Sequence, residues 1–143
     1  MASVNVSVEL PAGPDEVWSA MADLGRFEEW LTIHQGWRGE LPGTLEVGSR
    51  MTEIVSVMGM ANKIEWTVEA YEPPRSLKIS GTGMAAVKVS FTLSVEPVGD
   101  KAKATIDAEF SGQMVVGPIG AAVEKNSRAE LEKSLVKLTE LVA

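Results

Sequence analysis

The sequence contains no cysteine, one histidine and one tyrosine among 143 residues. Without cysteine there can be no disulfide, thiol nucleophile, Cys-ligated zinc or iron–sulfur cluster. The lone His34 has no HExxH pattern or equivalent ligand cluster around it, so no metal site is expected. Basic residues are scarce: 13 Lys and Arg stand against 20 Asp and Glu, a net charge of −7. That balance weighs against a nucleic-acid partner, which needs a basic patch to neutralise phosphates. No run of about 18 apolar residues is present, so no membrane span is expected. Residues 1–10 lack a basic segment followed by an apolar one, so a secretory signal is not expected and the expected location is cytoplasmic.

What is present is ordinary for a folded chain: 45% hydrophobic and 23% charged residues. The length fits one domain over residues 1–143. Val4, Val6, Val8 and Leu10 alternate with polar residues, which is a strand with one buried face. Pro14 fits a first helical position, with Asp15 and Glu16 favourable in the first turn. A second short helix is expected over 26–31. Residues 32–48 hold Gly36, Gly39, Pro42, Gly43 and Gly48, a density of breakers that predicts a loop or a broken edge strand. Strands are expected from Arg50, from Met60 to Tyr71, through Leu77 and Ile79, and over the alternating runs 87–95 and 102–110. Gly117-Pro118 opens a helix running to about Val142, with the inward stripe Ile119, Val123, Ser127, Leu131, Leu135, Leu138 and Val142. Short turns join the middle strands, so the sheet is antiparallel.

This order resembles the START/Bet v 1-like superfamily, also called the polyketide cyclase/dehydrase and lipid-transport group. The resemblance covers essentially the whole chain. It is carried by Pro14-Asp15-Glu16-Val17-Trp18, Asp23-Leu24, Phe27, Trp30, Val47-Gly48-Ser49, Glu72-Pro73-Pro74-Arg75-Ser76-Leu77 and the closing helix. A narrower likeness, to an actinobacterial branch, rests on Trp30-Leu31-Thr32-Ile33-His34, Trp37-Arg38, Gly59-Met60-Ala61-Asn62 and Gly117-Pro118-Ile119-Gly120. One member of that branch resembles the toxin partner of a toxin–antitoxin pair. The resemblance implies an α+β helix-grip fold: a curved antiparallel six-stranded sheet wrapped around a long C-terminal helix, with two short helices after the first strand. It implies a cavity between sheet and helix. It does not imply one chemistry.

The residues themselves argue for such a cavity. Inward positions are small at Ala70, Ala102, Ala104, Ala108 and Gly112, and Ser127 and Ser134 lie in or beside the helix stripe. Close packing would need larger partners opposite them. The expected lining is Val55, Trp66, Phe91, Phe110, Met114, Val115, Ile119 and Val123. Five of the seven methionines (Met51, Met58, Met60, Met84, Met114) fall at strand ends and turns, where flexible thioethers suit adaptable apolar surfaces or simply fill core edges.

Polar residues break the apolar pattern at few places. Glu53 shares the inward parity of Met51, Val55 and Val57, so it either meets a ligand or reaches water at the cavity mouth. Asn62 and Asn126 raise the same question. His34 lies between Trp30 and Trp37, as a polar gate at the mouth or as a loop histidine packed on Trp37. Arg38 could pair with a ligand carboxylate, but a surface ion pair with Glu28, Glu29 or Glu40 is the simpler assignment. Gly81-Thr82-Gly83-Met84-Ala85-Ala86 fits a dinucleotide-loop spelling, yet a strand follows it, so it reads as hairpin glycines.

Three readings follow. The first is a binding module for a small hydrophobic molecule such as a lipid, polyketide or other aromatic, with no cofactor and no metal. In it, Trp30, His34, Trp37, Glu53 and Asn126 join the apolar lining in setting orientation. The second is a cyclase or dehydratase, with His34 and Glu53 as the candidate acid–base pair. The third, motivated by the branch likeness, is a toxin component acting through a protein partner; a homodimer is also open.

Overall fold

A computed structural model of the chain describes residues 2–57, 59–83, 86–113 and 115–142. Strand β1 (Ala2–Leu10) leads into helix α1 (Pro14–Met21), a 3-10 turn (Leu24–Arg26) and the short helix α2 (Phe27–Trp30). Six strands follow: β2 (His34–Arg38), β3 (Arg50–Val57), β4 (Met60–Glu72), β5 (Ser76–Thr82), β6 (Lys88–Val98) and β7 (Lys101–Ser111). Helix α3 (Gly117–Val142) closes the chain.

All seven strands form one antiparallel sheet in the order β1-β7-β6-β5-β4-β3-β2. The expected count was six. The seventh is β2, which sits at an edge, is five residues long and carries a register shift between His34 and Gly36. Its brevity and the register shift beside Gly36 hide the period-2 signal that reveals the other strands.

Local chemistry explains the punctuation. Pro14 occupies the start of α1, and Asp23 caps the 3-10 turn by accepting from the Gly25 N–H at 3.0 Å. Gly99, at φ +63°, leads the two-residue turn between β6 and β7. That is the position where a right-twisted hairpin favours glycine. Gly81 answers a different need. A Cβ there would stand 2.3 Å from the carbonyl oxygen of Glu65, so β4 and β5 approach closely only because the side chain is absent.

The inward faces of the sheet bury Val4, Val6, Ile64, Trp66, Val68, Leu77, Ile79, Phe91, Leu93 and Ile106. From Ser127 to Leu138 the stripe on α3 is buried as expected, through Leu131 and Leu135, with Ser134 beside it, while Val142 at its end is half-buried. Upstream it is not: Ile119 is 52% exposed and Val123 is only half-buried. The first turns of α3 stand away from the sheet, and the stripe there borders a hollow instead of filling a core.

Helix α3 also closes the free edge of β1. The Ser3 N–H donates to Oε1 of Glu124 at 3.3 Å, and Nη1 of Arg128 donates to the Asn5 carbonyl at 3.3 Å. These two side chains, one helical turn apart, occupy backbone groups that would otherwise offer a template to another strand.

Candidate functional site

The hollow under α3 is an apolar cavity of about 250 Å³. The β3–β4 hairpin contributes Val55, Val57, Met60, Asn62 and Ile64. The β5–β6 connection and β6 contribute Gly83, Val87, Val89 and Phe91, and Phe110 comes from β7. Val115, just before α3, joins Ile119, Val123, Asn126, Ser127 and Leu131 of the helix itself, while Ile33 comes from the α2–β2 link. The exposed side chains of Met60 and Ile119 mark the rim.

Of the residues expected from sequence, Val55, Phe91, Phe110, Ile119, Val123 and Asn126 are on this wall, together with Val115. Met58, Met84 and Met114 lie outside the described residues. Trp30, His34, Trp37, Glu53 and Trp66 are elsewhere. Sequence reasoning missed Ile33, Ile64, Val89 and Leu131 as lining, although the inward parity of β4 and β6 and the α3 stripe already pointed to three of them. The small residues do not locate the cavity. Ala102, Ala104 and Ala108 are fully packed on β7, where α1 lies against β6 and β7. Their size admits a helix and leaves no space.

Behind the cavity wall sits a buried polar cluster. Glu53 is 1% exposed on β3, with Ile64 of the cavity wall as its register partner on β4. Its Oε1 accepts from the indole Nε1–H of Trp66 at 2.8 Å. Its Oε2 is in hydrogen-bond contact with Nδ1 of His34, whose side chain is 4% exposed. The His34 ring lies 5.1 Å from that of Trp37 and 6.0 Å from that of Phe27. Trp37 in turn donates its Nε1–H to the Leu24 carbonyl at 2.8 Å. Trp66 packs behind Phe91 at 5.4 Å between ring centres, so the cluster supports the cavity without opening into it. His34 and Glu53 therefore do meet, but each is occupied by protein partners.

A second polar group fastens the link between α2 and β2 to α3. Oγ of Ser134, itself fully buried, accepts from the Thr32 N–H at 2.9 Å and donates to the Glu130 carbonyl at 3.0 Å. The Thr32 hydroxyl donates to Oε2 of Glu130 at 2.9 Å. Ile33 and Leu131, the neighbours of these residues, both face the cavity.

A larger depression of about 740 Å³ crosses the outer face of the sheet, with Arg38, Glu40, Arg50, Glu65, Lys88 and Glu109 along it. It is polar, and positive and negative side chains alternate. Arg38 is exposed there and makes no ion pair among the described residues. The described residues contain no group of three or more His, Cys, Asp or Glu side chains arranged to hold a metal. Among them, no helix is long and apolar enough to cross a membrane.

The family model described as polyketide cyclase / dehydrase and lipid transport matches residues 1–143. The chain belongs to this family. Within the polyketide cyclase/dehydrase and lipid-transport family it is 38% identical over 135 residues to the Mycobacterium tuberculosis protein named Toxin Rv0910, covering 94% of each chain. A START superfamily protein from Mycobacterium smegmatis superposes with a TM-score of 0.78 at 19% identity, over 100% of both chains. TTHA0849 from Thermus thermophilus gives 0.79 at 17% identity, over 98% of this chain and 96% of its own. The fold is the helix-grip fold of the START/Bet v 1-like superfamily.

Proposed function

We propose that the protein binds a small hydrophobic molecule in the cavity between its sheet and α3. The observation that carries this reading is the cavity wall itself: a hollow of about 250 Å³ bounded by Phe91, Phe110, Ile64, Val89 and Leu131, which a well-packed core would have filled. Membership of a family described by lipid transport and polyketide cyclisation supports it. Affinity comes from removing ligand and wall from water. The test is native mass spectrometry of freshly purified protein, followed by organic extraction. A reproducible adduct that extracts as one apolar compound is the expected result. A clean apo mass, with no thermal shift across a panel of lipids and aromatics, would overturn the reading.

The cyclase or dehydratase reading gains no support from the His34–Glu53 contact, because both groups are engaged behind the wall and not within it. A toxin role exerted through a protein partner is favoured by one observation, the 38% identity to a relative named as a toxin. Expression in an actinobacterial host tests it. Growth arrest, relieved by the product of an adjacent small gene, is the outcome it requires, and harmless overexpression removes it.

A further inference from the structure

The cavity has four polar side chains on its described wall, Ser56, Asn62, Asn126 and Ser127, and no charged one. A carboxylate or ammonium group drawn into this space would give up its hydration and meet no counter-charge. The site therefore selects against ionised ligands.

The polar groups are not equally free. Asn62 donates its Nδ2–H to the Met60 carbonyl at 3.0 Å, and Asn126 also has an interaction partner. Ser56 is half-buried near the end of β3. Ser127 is different: it is 8% exposed, and its hydroxyl has no hydrogen-bond partner among the described residues. A serine or threonine inside a helix commonly returns its hydroxyl to the carbonyl four residues back. Ser134 and Thr139 do so on this same helix, to Glu130 at 3.0 Å and Leu135 at 2.8 Å. Ser127 does not bond to Val123. It keeps its donor and acceptor capacity on the cavity wall, where a molecule in the cavity can reach it.

We propose that Ser127 is the polar anchor of the cavity and that the ligand is a neutral, compact, ring-sized molecule bearing one hydroxyl or carbonyl oxygen. This rests on the reading of the cavity as a ligand site. At interior packing density, about 250 Å³ takes roughly ten to thirteen non-hydrogen atoms. That is the size of two fused rings with a single substituent.

Three probes of one skeleton test it: naphthalene, 1-naphthol and 1-naphthoate, titrated against the full chain and against Ser127→Ala and Ser127→Cys. The expected order is naphthol about fivefold or more tighter than naphthalene, and naphthoate weakest. In Ser127→Ala the naphthol advantage disappears while naphthalene binding is unchanged, and Ser127→Cys, with its weak donor, falls between. Melting of the unliganded Ser127→Ala protein is expected at or above the wild-type temperature, because no bond is lost. Equal binding of naphthoate and naphthol, or a naphthol advantage that survives both substitutions, overturns the anchor and leaves the cavity standing. Failure of all three probes to bind overturns the ligand-site reading and the anchor with it.

Discussion

Trp66 donates its indole N–H to Oε1 of Glu53 across 2.8 Å, and both residues are 1% exposed. The carboxylate's other oxygen is in contact with His34. A carboxylate buried this deeply is tolerated because both oxygens are engaged, and removing it strands two polar partners at once. Glu53→Ala is therefore expected to lower stability by about 3 kcal/mol. Glu53→Gln keeps an acceptor for Trp66 and an amide for His34, so its loss is smaller, about 1 kcal/mol. Urea unfolding of both variants checks the order. Equal losses would show that the carboxylate charge, and not the hydrogen-bond pairing, holds the cluster together.

The close passage of β5 over β4 makes a sharper prediction. Gly81→Ala places a methyl 2.3 Å from the Glu65 carbonyl oxygen and 2.9 Å from its carbon, both backbone atoms that cannot rotate away. A loss of about 2 kcal/mol or more is expected. Gly36→Ala, where no atom lies within 4 Å, is the control and is expected to be near neutral. Thermal melts of the two variants decide it.

Ser134 links the α2–β2 connection to α3 through hydrogen bonds with Thr32 and Glu130. Ser134→Ala leaves the Thr32 N–H without its acceptor, at about 1 to 2 kcal/mol. Local opening follows before global unfolding, so amide exchange at Thr32 and Ile33 is expected to accelerate more than exchange in β6 or β7. Uniform acceleration across the chain would mean that this contact has no local role.

Filling the hollow separates binding from folding. Val123 is half-buried on the cavity wall, so Val123→Trp has solvent on one side to accommodate its bulk. Binding of 1-naphthol is expected to weaken more than about tenfold, with melting temperature and far-ultraviolet circular dichroism unchanged. Retained affinity would place the probe elsewhere on the molecule.

Much of this fold was legible in the sequence, for physical reasons. The runs Val87–Val95 and Ala102–Phe110 alternate cleanly because one face packs on the core and the other meets water. The lower stripe of α3 repeats every three or four residues for the same reason. Over residues 32–48 a loop and a broken edge strand were both open, because five residues with a register shift between His34 and Gly36 carry too little pattern to decide; β2 is the edge strand. His34 and Glu53 were paired as candidates, but their contact and the part of Trp66 in it depend on strand register, which the spacing of residues does not encode. The cavity lies between the sheet and α3 as expected, but the small residues on β7 are not what makes it. Alanines on β7 signal close approach by whatever covers them, and what covers them is α1. The free hydroxyl of Ser127 had no sequence signal beyond a serine in an apolar stripe.

Strand β1 lies beside β7, about a hundred residues further along the chain, and its outer edge is covered by the last helix, with Glu124 and Arg128 bonded to its backbone. Ala2–Leu10 precedes both β7 and α3 in the chain, so during synthesis it is made well before either neighbour. Until they dock, both edges of its alternating valines stay open to pairing with another strand. The covering of β1 thus couples the two ends of the fold, because its edge is closed only when the last helix has docked.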